Sequence, residues 1–372
     1  KPFWLEQPPA RGRGALRLAC VPDPRARLAE QRGTMAEEGE FAPLTHEILC
    51  QCLSEIHLIC GGGGFAFTRL DCSNKELTDL GNKVDEYQQL KHIVLSNNKF
   101  TDISQVTRLP HLLTLRADNN EVKSLACLQE GSNLRWCQRL NLSNNKLTAL
   151  PSLSALERLR FAHFATNEIV SLEGFGDHPA LEELHMQENQ LTTLRGLGHL
   201  PALKLLVVSS NQLTSLEGLN APALTRLDLS KNQLVSVANI DGAPACEELD
   251  LSENQLSKED PHLNELRTLG DQLPCLRSLM LTGNAADLRV EAVICIPQVA
   301  QIDGEPISEE DREAAKTREE ELVAEVQAYE EEQARLKAEA EAEAEAARLA
   351  AEAEAAEAAA AEAAEAGGEE EG

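Results

Sequence analysis

The chain has 372 residues, 42% of them hydrophobic and 26% charged, with a formal net charge of -28, which is enough apolar content for one large domain or two ordinary ones. From Ser308 to the end there are 23 acidic and 6 basic residues, a charge of -17, whereas residues 1–34 carry +4. An acidic body and tail repel phosphate backbones, because nucleic-acid affinity rests on Lys and Arg displacing counterions, and no apolar run reaches the roughly 18 residues of a membrane span; neither nucleic acid nor membrane is an expected partner.

Residues 1–42 read as a disordered or leader segment. They lack the apolar core of a signal peptide, and Met35 heads "MAEEGEFAPLTHEIL", so translation is expected to start there. Without a secretory signal the ten cysteines are read as reduced, with Cys72, Cys137 and Cys246 filling core positions.

Residues 43–64 predict a capping helix followed by a glycine joint into the first strand. In "PLTHEILCQCLSEIHLIC" the residues Leu49, Leu53, Ile56 and Cys60 fall on one helical stripe. His46, Cys50, Cys52, His57 and Cys60 crowd the same stretch, but a continuous helix separates His46 from Cys60 by ~21 Å, and a zinc ion needs its ligands within ~2.3 Å. The "GGGG" that follows lacks the Lys and Ser/Thr of a phosphate-binding loop.

A repeat fills residues 65–286. An Asn preceded by apolar residues eight, five and three positions earlier recurs at Asn98, Asn120, Asn145, Asn167, Asn189, Asn211, Asn232, Asn254 and Asn284, and an upstream copy carries Lys75 in its place. This resembles the leucine-rich repeat L-x-x-L-x-L-x-x-N-x-L in its short, 22-residue form. The resemblance implies an α/β solenoid, right-handed, with a parallel sheet on its concave side. Each Asn is expected to close its turn by bonding backbone groups of adjacent coils. Ahead of Asn284 a longer insert predicts a helix with Ser257 as N-cap, left near Gly270.

Residues 287–307, "DLRVEAVICIPQVAQIDGEPI", resemble the terminal cap of intracellular leucine-rich-repeat proteins. Residues 308–337 keep a sparse apolar stripe (Leu322, Val326, Tyr329, Leu336) and predict an amphipathic helix. Residues 338–372 are almost wholly Ala and Glu, a helical or disordered tail.

No catalytic residue, cofactor or metal site is expected, because the repeat already explains the placement of the Ser, Cys and His residues. Function is sought on side chains six, four and two positions before each Asn, which alternate out of the sheet. That selects Arg116, Phe161, His163, His185, Leu205, Val207, Arg226 and Met280 as a protein-binding set. Phe161, His163, His185, Leu205 and Val207 fall on three adjacent strands and predict an apolar, imidazole-rich patch.

The order of features also resembles one family. "LTHEIL", the glycine joint, "LTDL" (77–80), "LLTLRADNNEV" (112–122), "FAHFATNEI" (161–169), the cap and the charged helix are similar to the leucine-rich-repeat subunit of the radial spoke in motile cilia and flagella. That resemblance implies a non-catalytic scaffold in the cytoskeleton of the axoneme, a member of a large hetero-oligomeric complex whose partners are other axonemal proteins, radial-spoke subunits among them. Dynein-regulatory and central-apparatus subunits resemble it too, and the 22-residue repeat also resembles regulatory subunits of protein phosphatase 1 and spliceosomal partner proteins.

Overall fold

Each coil of the repeat after the first contributes three residues to one sheet, and the computed structural model of the chain describes this body over residues 43–59, 64–129, 133–256, 262–285 and 287–320. The expectations for residues 1–42, Cys60, Gly61 to Gly63, Ser257, the stripe from Leu322 to Leu336 and the tail lie outside the described residues.

In chain order the elements are α1 (His46–Cys52), β1 (Leu53–Leu58), β2 (Phe65–Asp71), β3 (His92–Val94), β4 (Thr114–Arg116), β5 (Arg139–Asn141), β6 (Phe161–His163), β7 (Glu183–His185), β8 (Leu205–Val207), β9 (Arg226–Asp228) and β10 (Glu248–Asp250). Then follow α2 (His262–Gln272), β11 (Ser278–Met280), α3 (Arg289–Cys295), β12 (Gln301–Ile302) and β13 (Glu305–Pro306), and a helix α4 over 309–320. The strands lie in one sheet in sequence order, parallel from β2 to β12, with antiparallel β1 and β13 at its edges. The fold is a leucine-rich-repeat solenoid.

The three-residue strands follow from their side chains. The middle residue of each, such as Ile93, Leu115, Leu184 or Leu279, is fully buried, and the two flanking residues point to the other side. Further Leu residues of each coil, such as Leu191, Leu194, Leu197 and Leu200, complete a single continuous core. No coil buries its apolar face alone, so neighbours must stack.

The Asn ladder ties each coil to the one before it. Asn189 accepts from Ile169 N at 3.1 Å and donates to Phe164 O at 2.9 Å and Met186 O at 3.0 Å. Asn98, Asn120, Asn145, Asn167, Asn211, Asn232, Asn254 and Asn284 repeat the same pattern of one acceptor and shared donors. In the first coil, where Lys75 stands in the ladder position, the backbone N–H of Lys75 instead donates to Asn98 Oδ1.

One conformational feature went unread in the sequence. The residue just before each ladder Asn is left-handed, from Asn97 (φ 57°) through Thr166 (φ 54°) to Glu253 (φ 52°), and Gly283 (φ 76°) takes the place before Asn284. Asn97, Asn119 and Asn144 suit that conformation, whereas Thr166 is β-branched and is strained there.

The N-terminal segment differs from the expected long helix. Thr45 caps α1, which ends at Cys52, and Leu53–Leu58 turn into a strand antiparallel to β2. The edge of β2 would otherwise present a row of unpaired N–H and C=O groups, and pairing it outweighs the helical stripe. Leu49 and Leu53 are buried as expected, while Ile56 is 59% exposed. The glycine segment therefore joins β1 to β2 rather than a helix to a strand.

Toward the other end, α2 runs two residues past Gly270. That glycine serves as a packing surface, since a Cβ there would meet Cys295 O at 2.6 Å, and Gln298 Nε2 donates to Gly270 O and Leu273 O to finish the helix. The cap closes with Asp303 accepting from Leu281 N and Thr282 N. Ser308 then starts α4 through a reciprocal capping box with Asp311.

Candidate functional site

The residues selected from the sequence all lie on strands β4 to β11 and flank buried middle residues, so they share the open face of the sheet. Arg116, Arg226 and Met280 are exposed, and Phe161, His163, His185, Leu205 and Val207 are half-buried. Strand register sets the neighbours. One row across the sheet reads Arg139, Phe161, Glu183, Leu205, Arg226, and the adjacent row reads Asn141, His163, His185, Val207, Asp228.

The predicted patch is thereby split. His163, His185 and Val207 are direct cross-strand neighbours, but Glu183 stands between Phe161 and Leu205. Phe161 also has two cations against its ring, with the Arg139 guanidinium 4.7 Å and the Arg160 guanidinium 5.5 Å from its centroid. Such cation–π contacts hold the ring in place. Arg226 is committed to Glu248 at 2.5 Å, and Arg116 lies 3.7 Å from Asp118.

The two imidazoles stack, with centroids 4.3 Å apart and planes 10° from parallel. Burial pushes His163 down to about 4, helped by the charges of His185 and Arg116. Burial likewise lowers His185, with the Glu183 carboxylate opposing. Both rings are therefore neutral at pH 7, which removes the repulsion that two stacked cations would suffer.

An open hollow of about 400 Å³ adjoins His163, lined also by Thr114, Arg116, Arg139, Asn141, Phe161 and Glu183. Among the described residues, His163, Glu183 and His185 are the one group of three or more metal-type ligands brought together. The N-terminal cluster is dispersed: Cys50 Sγ lies 3.6 Å from His46 Nε2, whereas Cys52 is buried and His57 sits on β1. The eight described cysteines are free thiols. Cys137 and Cys246 are core residues whose thiols burial pushes up to about 12, so they are inert as nucleophiles.

Sequence reasoning placed Arg139 and Glu183 on this face but did not select them. Their signal was positional. Each lies 22 residues, one repeat, from Phe161, and so occupies the same row.

Comparison with known proteins agrees with the fold. The family model described as leucine-rich repeats (2 copies) matches residues 179–221, the coils that carry β7 and β8. Leucine-rich repeat-containing protein 23 of Homo sapiens is 29% identical over 118 residues, 32% of this chain and 33% of that protein. Its Bos taurus counterpart is 30% identical over 112 residues, 30% of this chain and 31% of that protein. The chain thus spans about a third of the length of these relatives. Among solved structures, a leucine-rich-repeat protein of Leptospira interrogans overlaps with a TM-score of 0.46 at 25% identity, over 63% of this chain and 65% of that one. YopM of Yersinia enterocolitica overlaps with a TM-score of 0.40 at 24% identity, over 64% of this chain and 53% of that one.

Proposed function

We propose that the chain is a non-catalytic scaffold of the ciliary or flagellar axoneme, a radial-spoke subunit that joins other spoke proteins through the open face of its sheet. The observation that carries the binding role is the ledge formed by Phe161, His163, His185 and Val207. It is half-buried, neutral at physiological pH and set on short strands whose positions the Asn ladder fixes. A partner side chain landing there loses little of its own hydration to charged groups and meets a surface that does not have to reorganise. The acidic ground beyond, with Asp228, Glu248 and Asp250 on the next two strands, favours a partner carrying basic residues at its rim.

The axonemal assignment rests on the sequence resemblance over roughly residues 43–335, with "FAHFATNEI" as its most distinctive piece, and that piece supplies the first two residues of the ledge. A repeat that spends its Leu and Asn residues on stacking leaves adhesion as the work of the remaining side chains. Affinity capture with the full chain, run in parallel on axonemal and nuclear extracts, separates the readings. Recovery of radial-spoke subunits, lost with Val207→Glu, is the expected result; recovery of splicing or phosphatase components alone overturns it.

A further inference from the structure

We propose that His163, Glu183 and His185 form a binding site for a divalent first-row transition cation of the zinc type, with a coordination position left open toward the hollow. The register of β6 and β7 sets His163 directly opposite His185. Glu183, two residues earlier on β7, faces the same side. One ligand atom from each residue lies within 4.8 Å of the other two, and His185 Nε2 is 3.9 Å from Glu183 Oε2.

A tetrahedral zinc ion with bonds of about 2.0–2.1 Å holds its donors about 3.4 Å apart. The widest separation must therefore shrink by about 1.4 Å. The torsions that do this, χ2 of the two His and χ3 of the Glu, have broad minima, while the strands beneath stay fixed by the sheet. Because a bound ion lies in the plane of each imidazole that holds it, the two stacked rings must rotate out of parallel by tens of degrees to share one.

The donor set suits the ion. Two imidazoles with one carboxylate select zinc, copper, nickel or iron over calcium or magnesium. Imidazole binds a metal ion through its unprotonated nitrogen. The nearby cation Arg116 is turned to Asp118. Gln187 Oε1, two residues along the chain from His185, is buried without a hydrogen-bond partner, an unused acceptor of the kind that orients metal-bound imidazoles. Three protein ligands leave a fourth position for water or for a side chain from another molecule. The site stands on these three residues whether or not the face docks a protein.

Calorimetric titration of the full chain with Zn2+, repeated with Co2+ in the visible region, tests it. The expected result is one equivalent that His163→Gln or His185→Gln weakens at least tenfold and His46→Ala leaves in place, with a Co2+ spectrum free of thiolate charge-transfer bands. Circular dichroism checks that the variants fold, and Glu183→Gln, which keeps both rings, serves if a His variant does not. Unchanged stoichiometry and affinity in the folded variants, or a spectrum showing thiolate ligation alone, overturns the proposal.

Discussion

Arg289 grips Asp311 through Nε at 3.2 Å and Nη2 at 3.0 Å, and so fastens α3 of the terminal cap to the first turn of α4. The same guanidinium donates to Ile302 O at 3.0 Å, so one side chain joins the last strands, the cap helix and the helix that leaves it. Asp311 is in turn the capping-box partner of Ser308, and the Arg289 hydrogen bond holds its carboxyl far below the usual carboxylate range. Arg289→Ala is expected to release α4 while the repeats stay folded. Hydrogen exchange reads this directly: protection of amides in 309–320 collapses, and that of β6 to β9 does not change. A carboxylate with a depressed pKa stabilises the fold above its ordinary value near 4 and loses that contribution as pH falls below it, so acid should free α4 in the unmodified chain as well.

The Asn ladder is expected to be costly to break anywhere along its length. Asn189→Ala leaves the buried Ile169 N, Phe164 O and Met186 O without that partner, a loss on the order of 3 kcal/mol. Chemical denaturation measures it. Gln190→Ala, an exposed neighbour, should stay within about 0.5 kcal/mol of the unmodified chain.

Thr166 should be improvable. It sits at φ 54° directly before a ladder Asn, where the equivalent positions hold Asn97, Asn119 and Asn144. A left-handed conformation costs a β-carbon-bearing residue about 1–2 kcal/mol, and Asn recovers part of that through local hydrogen bonding. The substitution gives up an exposed hydrogen bond from Thr166 Oγ1 to Glu188 Oε2, which is worth little. Thr166→Asn is expected to raise stability by about 0.5–1 kcal/mol, seen as a higher denaturation midpoint with an unchanged slope.

How far the sequence reached follows from which interactions have a fixed period. The ladder Asn and the inward Leu recur with the coil, so the solenoid, its register and the membership of the open face could be read from spacing. Local context decided what could not. β1 formed because β2 had a free edge, a tertiary demand that the helical stripe through Leu53 and Ile56 does not encode. Glu183 and Arg139 acquired their roles from neighbours on the next strand, and Phe161 is flanked by guanidiniums that no pattern along one strand reveals. The left-handed position escaped notice because its occupants, Asn, Thr, Glu, Ser and Lys, share a backbone state and no side-chain chemistry.

Binding through the open face should separate from stability. Phe161→Ala removes a half-buried ring and its contact with Arg139 but opens no cavity in the core, so its stability cost is expected to stay below about 1 kcal/mol. An anchor at the centre of an interface typically costs 2 kcal/mol or more when truncated, which is a loss of affinity above tenfold. The measurement is a pair of numbers on one sample, the partner dissociation constant and the thermal midpoint. A large fall in the midpoint would place Phe161 in the core and remove it from the binding face.

Acid should destabilise the repeats through their histidines. His178 is almost fully buried, with its ring against Phe175 at 4.7 Å and Nε2 at 3.1 Å from Phe175 O. Burial lowers its pKa, against the raising effects of that hydrogen bond and of Asp177, and His92, His163 and His185 are lowered by burial in the same way. Below about 6.5 the unfolded chain takes up protons that the folded chain refuses, so stability rises with pH through this window and falls as pH drops from 6.5 toward the folded values. Urea midpoints at pH 7.5 and 5 should differ in that direction. In His178→Leu the difference between the two midpoints is expected to shrink, even though the variant is less stable at both, because one of the groups that must charge on unfolding is gone.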